Sequence, residues 1–169
     1  MFNSWHTRVE TAADIAAIRA VNLQAFGRAY EPDIVDALRA DSSAWWPGLS
    51  IIATTEAGEA VGHVLLSRCR IGVTPALILG PCAVLPAYQG QGVGGAVIRT
   101  ALAAARRQGH RFVVLLGHAD YYPRFGFEPA EPFGISFPNV ESGPHLMALA
   151  LGTDRLPAGV IDLPASWNI

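Results

Sequence analysis

The stretch that most constrains how this chain can fold is residues 79–109, in which an apolar strand, a turn at Pro86, a glycine-dense loop and an alanine-rich helix follow one another. Glycines and glutamines crowd the point at which the helix should begin. The first turn of a helix has N–H groups without intrahelical partners and carries a positive partial charge. Because glycine lets an anion approach that backbone closely, the stretch predicts a phosphate-binding loop that opens a helix.

Three phosphate-binding motifs compete for this loop, and spacing separates them. A P-loop ends in Gly-Lys-Ser/Thr, whereas this loop ends in Val93-Gly94-Gly95 and the chain contains no lysine. A Rossmann G-x-G-x-x-G pattern is present at Gly90, Gly92 and Gly95. That pattern should follow directly on a strand, with an acidic residue about 20 positions further on, and neither condition is met here.

The third pattern is Gln89-x-x-Gly92-x-Gly94, which resembles the acyl-CoA signature of the GNAT superfamily of N-acetyltransferases. Downstream, residues 121–127 (YYPRFGF) are similar to the second signature of that superfamily, an aromatic-Tyr-x-basic-x-Gly-Phe segment. Together with the preceding Gly-His-Ala-Asp, this segment also resembles the small YhbS-like branch of the superfamily. The resemblance covers roughly residues 8–151.

The resemblance implies an α+β (mixed α/β) GNAT-like fold with helices on both faces of a central, mostly antiparallel, twisted sheet. One parallel pair of strands in that sheet is expected to splay apart at the acyl-CoA site. The sequence pattern agrees, because strands at 50–55, 61–67 and 77–84 form a meander, and a helix at 92–108 leads to a strand at 111–116 as a right-handed crossover does. The other predicted elements are a strand at 8–10, a helix at 12–26 that Thr11 caps, a helix at 33–40, a short helix at 119–125, and strands from Phe127 and at 145–151.

The resemblance also implies where acetyl-CoA, the co-substrate, binds. The freed strand backbone would pair with the pantetheine and the acetyl carbonyl, and the N–H groups of the loop would hold the pyrophosphate. The implied cofactor-binding residues are Cys82, Ala83, Val84, Gln89, Gly90, Gln91, Gly92, Val93, Gly94 and Gly95.

Two residues are catalytic candidates. Tyr122 matches the tyrosine of the second signature and is the candidate general acid for the departing thiolate; the alternative is that its ring only packs. Relatives often carry a glutamate as general base on the strand before the loop, which this chain lacks, so His118 is the candidate because imidazole titrates near neutral pH. His63, His145 and a water chain stay open as alternatives. Cys82 is disfavoured as a nucleophile because a thiol on a buried strand stays protonated.

The function implied is direct transfer of an acetyl group from acetyl-CoA to a primary amine of a small molecule or peptide, within a ternary complex. A non-catalytic acyl-CoA-binding sensor or interaction module on the same fold is the alternative, and Tyr122 favours the enzyme. The first two helices line the acceptor site in this superfamily. Here their link carries Tyr30, Glu31, Asp33 and Asp36, which either attract an amine cation or form a solvated helix start.

Composition limits the partners. A length of 169 residues predicts a single domain, 1–169, with a core at about 8–151 and a C-terminal tail, 152–169, packed on it. A net charge of −2 argues against nucleic acid as a partner. No apolar run reaches membrane-spanning length and no signal peptide is recognised, so a cytoplasmic protein without membrane contact is expected, as a monomer or homodimer. Two cysteines give neither a disulfide framework nor metal-ligand spacing, so no metal is expected.

Charge is unevenly distributed along the chain. No Asp or Glu occurs between Glu59 and Asp120. This suits a polyanionic ligand such as CoA, although buried strands also exclude acids. The same stretch contains Arg68, Arg70, Arg99, Arg106, Arg107 and Arg111.

Overall fold

The computed structural model describes residues 5–141 and 143–168. Its helices are α1 (Ile15–Phe26), α2 (Tyr30–Ala40) and α3 (Val93–Arg107). Its strands are β1 (His6–Val9), β2 (Ser50–Thr54), β3 (Ala60–Ile71), β4 (Thr74–Val84), β5 (Phe112–Leu116), β6 (Glu128–Pro129), β7 (Ile135–Ser136), β8 (Leu146–Ala150) and β9 (Gly159–Asp162). Single 3-10 turns lie at Ala12–Asp14, Pro86–Tyr88, Tyr122–Phe125, Glu131–Phe133, Gly143–His145 and Ala165–Trp167.

The sheet is mixed and mostly antiparallel. Its order is β1-β2-β3-β4-β5-β8-β6, and β9 pairs with the end of β3 and with β7. Strands β1 to β4 form the predicted antiparallel meander, and β5 runs parallel to β4 after the α3 crossover. The short β7 is also parallel to β9. The predicted fold class, with its parallel pair at the centre, is confirmed.

Helices cover both faces of the sheet. The apolar side of α3, including Val97, Ile98 and Ala101, is fully buried against one face. On the other face, α1 and α2 bury Ile18 and Leu38 against the sheet. Burial of each side chain of this size stabilises the fold by about 1.5–3 kcal/mol, and less for alanine. The two helical layers therefore fix where the ends of the central strands lie.

Several element boundaries differ from the sequence prediction. Helix α2 begins at Tyr30 rather than at Asp33, because Pro32 is tolerated within a first turn, where its missing N–H has no helical partner. Strands β3 and β4 extend to a tight turn at Gly72, so both are longer than expected. The helix predicted at 119–125 is only a 3-10 turn, since Pro123 and Gly126 confine it.

Candidate active site

The parallel strands β4 and β5 are paired over a very short length. They pair at Leu77 with Val113 and at Ile78 with Val114. Within the described part of the chain, residues 79–84 of β4 have no partner in β5. We call this gap between the two strands the slot.

The pairing between β4 and β5 ends where the backbone of β4 becomes irregular. The register between β4 and β3 shifts between Val64 and Leu66, which marks a bulge. The peptide bond between Gly80 and Pro81 is cis. A proline inside a strand is tolerated mainly at such an interruption.

Backbone groups of β4 line the slot. The N–H of Leu85 donates to a carbonyl of β3 at 2.9 Å. Because alternate residues of a strand direct their N–H and C=O groups to the same side, Ala83 also faces β3, whereas Cys82 and Val84 face the slot. The Val84 oxygen accepts a hydrogen bond from Gln89 Nε2 at 3.1 Å. The carbonyl of Val84 is therefore occupied, and its N–H is the group that remains to meet a ligand in the slot.

The loop of residues 89–95, here called the glycine loop, ends at the start of α3. Gly90 and Gly92 have φ of +74° and +84°, which side-chain-bearing residues rarely adopt, and Gly92 is the N-cap of α3. A Cβ built on either glycine would meet no described atom within 4 Å, so the space before the helix is open. The first N–H groups of α3, from Val93 to Gly95, point into this space, which is the geometry of an anion site.

Distant residues brace the glycine loop. The indole Nε1 of Trp5 donates to the Gln91 carbonyl at 2.9 Å, and its ring packs edge-on against Tyr88 at 5.7 Å. Gly62 of β3 gives room to Val93, whose Cγ1 would lie 2.4 Å from a Cβ at Gly62. Sequence reasoning missed Trp5, because no local pattern links it to a loop 86 residues away.

An aromatic cluster of Tyr121, Tyr122, Phe125 and Phe127 stands beside the loop. The Tyr121 hydroxyl would lie 3.2 Å from a Cβ at Gly94, so this ring abuts the start of α3.

Two arginines stack on this aromatic cluster. The guanidinium of Arg99 lies 5.0 Å from the Phe125 ring centroid and covers Gly95. That of Arg124 lies 4.2 Å from the Tyr121 ring. Both cations therefore flank the mouth of the glycine loop, a placement that the sequence analysis did not assign.

Tyr122 is part of this cluster and also reaches a cavity. Burial, with smaller contributions from the Cys82 thiol and Tyr121, raises the pKa of Tyr122 above the ordinary value for a phenol. Its hydroxyl therefore stays protonated at neutral pH and can donate. Burial also raises the pKa of the Cys82 thiol to about 12, which agrees with the expectation that Cys82 stays protonated.

That cavity, here called the front cavity, has a volume of about 580 Å³ and opens at the slot. Four parts of the chain build it: the first two helices, the diverging ends of β4 and β5 with the residues that follow β5, the segment after β7 at Phe137, and the C-terminal tail. Both catalytic candidates, His118 and Tyr122, line it. The helices and tail contribute Phe26, Tyr30, Glu31, Ile34, Leu163, Trp167 and Asn168.

One acidic side chain lines the front cavity. The Glu31 side chain is only 11% exposed and pairs with Arg28 through two hydrogen bonds of 2.7 and 2.5 Å. The other two carboxylates of this segment, Asp33 and Asp36, instead bind Arg19 at 2.8 and 2.7 Å and do not line the cavity. Of the carboxylates noted in the sequence, Glu31 is therefore the one placed to meet a ligand.

The alternative histidines lie elsewhere. His63 is fully buried; Asn22 donates to its Nδ1 at 3.1 Å, so its Nε2–H donates to Ser50 Oγ at 2.9 Å. Burial, with a smaller effect of Arg39, lowers the pKa of His63 to about 3, and the ring does not line the front cavity. His145 donates from Nδ1 to the Gly117 carbonyl at 3.0 Å and supports the turn after β5.

The described ranges contain neither a cluster of metal-binding side chains nor a membrane-spanning helix. No three His, Cys, Asp or Glu side chains in residues 5–141 and 143–168 come together as a metal site would require. No described helix has the length and apolar character needed to cross a bilayer.

Residues 15–127, which include the first helices, the slot, the glycine loop and Tyr122, match the acetyltransferase (GNAT) family. The chain belongs to the GNAT family of acetyltransferases. The resemblance inferred from the two signatures is thereby confirmed, and so is the prediction that the chain is an N-acetyltransferase of this family.

Two GNAT relatives from Escherichia coli are similar in sequence. The uncharacterized N-acetyltransferase YjhQ is 48% identical over 121 residues, which span 69% of this chain and 66% of YjhQ. The uncharacterized N-acetyltransferase YhbS is 31% identical over 165 residues, covering 95% of this chain and 97% of YhbS. The YhbS-like branch suggested by the second signature is thus supported along nearly the whole chain.

Two solved GNAT structures have the same fold. Escherichia coli YhbS in complex with CoA superposes with a TM-score of 0.89 at 26% identity, covering 100% of this chain and 94% of that one. A GNAT acetyltransferase from Brucella melitensis in complex with acetyl-CoA has a TM-score of 0.80 at 37% identity, covering 98% and 99%. Both relatives bind the type of co-substrate that the glycine loop predicts.

Proposed function

We propose that this protein transfers the acetyl group of acetyl-CoA directly to a primary amine within a ternary complex. The observation that carries the proposal is that the slot and Tyr122 meet at the front cavity, while β4, which borders the slot, leads along the chain to the open start of α3. A thioester lying in the slot would have its phosphates at a helix N-terminus and its reactive carbon at the edge of a separate cavity. One site for each substrate is what direct transfer requires.

In this proposal the glycine loop and slot hold acetyl-CoA. The pyrophosphate accepts hydrogen bonds from N–H groups at the start of α3, and Arg99 and Arg124 supply positive charge beside it. The pantetheine arm extends along the exposed edge of β4 at Cys82 and Val84. Ala83, which faces β3, contributes its small side chain and the strand geometry rather than a hydrogen bond.

The chemistry follows from these positions. The neutral amine attacks the thioester carbon, forming the C–N bond, and the C–S bond breaks as the tetrahedral intermediate collapses. The Val84 N–H donates to the developing oxyanion. Tyr122 gives its proton to the departing thiolate, which leaves as CoA-SH. The proton lost by the amine returns through a base and solvent to the phenolate, so the reaction is balanced.

His118 is the proposed base. It follows β5 directly, lines the front cavity with Tyr122 and is exposed to solvent, so it can pass the amine proton outward. The position of His63 supports this choice, since its buried ring is committed to Asn22 and Ser50.

The lining of the front cavity supports a small amine or peptide end with an apolar or aromatic body. Aromatic rings from Phe26, Tyr30, Phe137 and Trp167 form much of its wall. Glu31 offers a carboxylate to the ammonium form of the acceptor as it enters. The indole Nε1 of Trp167 is buried and has no hydrogen-bond partner among the described residues, so it is available to an oxygen of the acceptor.

The test is release of free thiol from acetyl-CoA by the purified chain against a panel of amines, which includes aromatic and aliphatic amines, amino acids, polyamines and peptides. We expect amine-dependent release that is strongest for amines with an aromatic or branched apolar body. In Glu31→Gln the KM for such amines should rise while acetyl-CoA affinity stays parental. Tight acetyl-CoA binding without turnover on any amine would reject the transfer proposal and restore the binding module.

A further inference from the structure

A second cavity lies at the opposite end of the central strands. This rear cavity has a volume of about 710 Å³, within the range of small-molecule sites. It is bounded by the end of β3, the first residues of β4, the turn from α3 into β5, and the tail after β9. The slot is at the other ends of β4 and β5, so the acyl-CoA site and the rear cavity are separate.

The rear cavity is rich in positive charge. Arg68, Arg70 and Arg111 line it, with Asp162 as its one carboxylate. Arg111 is paired with Asp154 at 2.9 Å. Neither Arg68 nor Arg70 forms an ion pair within residues 5–141 and 143–168, although the chain as a whole carries a net charge of −2. These two cations, from the stretch without carboxylates, lie far from the glycine loop, so acyl-CoA binding does not account for them.

Arg68 is held in place but incompletely bonded. Its guanidinium stacks over the Trp46 ring at 4.3 Å, and His110 packs edge-on against the same ring at 4.6 Å. The Arg68 Nε is buried and has no hydrogen-bond partner among the described residues. A buried donor without an acceptor is costly, and a bound oxyanion would supply that acceptor.

The remaining walls are apolar. Pro75, Leu77, Leu163 and Pro164 also line the rear cavity, and Leu77 and Pro75 are the partners of Arg68 and Arg70 on the neighbouring strand β4. A cavity that combines cations with apolar side chains recognises a molecule with both characters.

We propose that the rear cavity is a second ligand site, which binds a small organic oxyanion. Its carboxylate or phosphate group lies between Arg68 and Arg70, and its apolar part lies against Leu77 and Pro164. Arginine is suited to this role because its planar guanidinium donates paired hydrogen bonds to such groups. The proposal does not depend on which amine the enzyme acetylates.

The experiment measures binding of citrate and, separately, of inorganic phosphate to the full chain by calorimetry at constant ionic strength. Saturating CoA is present throughout, because free anions would otherwise also occupy the start of α3. We expect at least one of the two anions to bind the CoA-loaded parent. Its affinity should fall about tenfold or more in Arg70→Gln, since a charge-assisted hydrogen bond is lost.

Two further variants complete the test. Arg107→Gln removes an exposed cation that does not line the rear cavity, and it should bind as the parent does. Arg68→Gln should lose affinity as Arg70→Gln does; if it fails to fold, the exposed Arg70 still decides the matter. No binding of either anion to the CoA-loaded parent, or equal affinity in Arg70→Gln and Arg107→Gln, would overturn the proposal.

Discussion

The ring of Tyr122 occupies the space that a side chain at position 117 would need. A Cβ built on Gly117 would lie 2.4 Å from Cε2 and 3.0 Å from Cδ2 of Tyr122. Gly117 is the first residue after β5, so the absence of a side chain there lets the ring approach the end of the slot. The position of the proposed acid therefore depends on a glycine outside the two signatures, in the Gly-His-Ala-Asp stretch that precedes the second one.

Gly117→Ala should displace the Tyr122 ring and reduce turnover. Because small displacements of a reacting group can cost up to about a hundredfold in rate, we expect a fall of about tenfold or more in kcat with near-parental acetyl-CoA affinity. Steady-state kinetics and calorimetry measure the two quantities. The matched control is Gly152→Ala, whose added Cβ meets no described atom within 4 Å. Parental kcat in Gly117→Ala would show that the ring position is unimportant.

Tyr122→Phe keeps the ring and its packing but removes the proton donor. We expect about a hundredfold loss of kcat, the usual contribution of a positioned acid, with parental melting temperature and acetyl-CoA binding. Tyr121→Phe removes the neighbouring hydroxyl from the same aromatic cluster and should keep most of the turnover. If the two variants are equally active, protonation of the thiolate must be assigned to water.

Gly92→Leu should abolish the rise in melting temperature that CoA gives the parent. A ligand at 100 times its Kd stabilises a protein by about 2.7 kcal/mol, so the loss is easily measured by thermal shift. Gly58→Leu is the control, because Gly58 has φ of +88° against +84° for Gly92 and equally open surroundings, but lies in the β2–β3 turn. The control should lose similar stability yet keep its response to CoA; an undiminished response in Gly92→Leu would refute the loop assignment.

His118→Ala should change the acidic limb of the profile of kcat/KM against pH. If His118 takes the amine proton, the variant loses rate and the pH dependence of kcat/KM below neutrality is altered, because the group whose protonation blocks the reaction is gone. His6→Ala, on the exposed strand β1, should leave the profile unchanged. An unaltered acidic limb and rate in His118→Ala would leave a water chain as the base.

Stability should decrease on acidification because of His63. Its pKa in the folded state is lowered to about 3, whereas the unfolded chain binds the proton near the ordinary pKa of about 6.5. The unfolded state therefore binds more protons as the pH falls below about 6.5, and the free energy of unfolding decreases by up to about 1.4 kcal/mol per pH unit. Urea unfolding between pH 7 and 5 measures this slope. The slope should be shallower in His63→Gln and parental in His6→Gln.

Local signals in the sequence predicted the parts of the site that depend on adjacent residues. The glycine loop and Tyr122 are encoded within short stretches, where backbone conformation and residue type are directly linked. The parallel pair was predictable because a strand, a helix and a strand in succession have one common arrangement.

Other parts depend on contacts between distant segments. Neither the bond from Trp5 to Gln91 nor the packing of Trp167 at the front cavity leaves a periodic pattern in the sequence. The orientation of Ala83 depends on strand register, which a shift of one residue reverses. The distinction between Glu31 and Asp33 required knowing which side of α2 faces the cavity.

The residues proposed to bind the two substrates come from different segments of the chain. The backbone proposed to hold acyl-CoA comes from the middle of the sequence, at residues 82–95, whereas residues 26–34 and 163–168 supply much of the wall proposed to face the acceptor. Mutations in those outer segments can retune acceptor preference while the thioester machinery stays intact. A lineage with this layout can diversify its substrates by drift at the two flanks, and exchange of these segments between related enzymes is a direct route to new acceptor specificities.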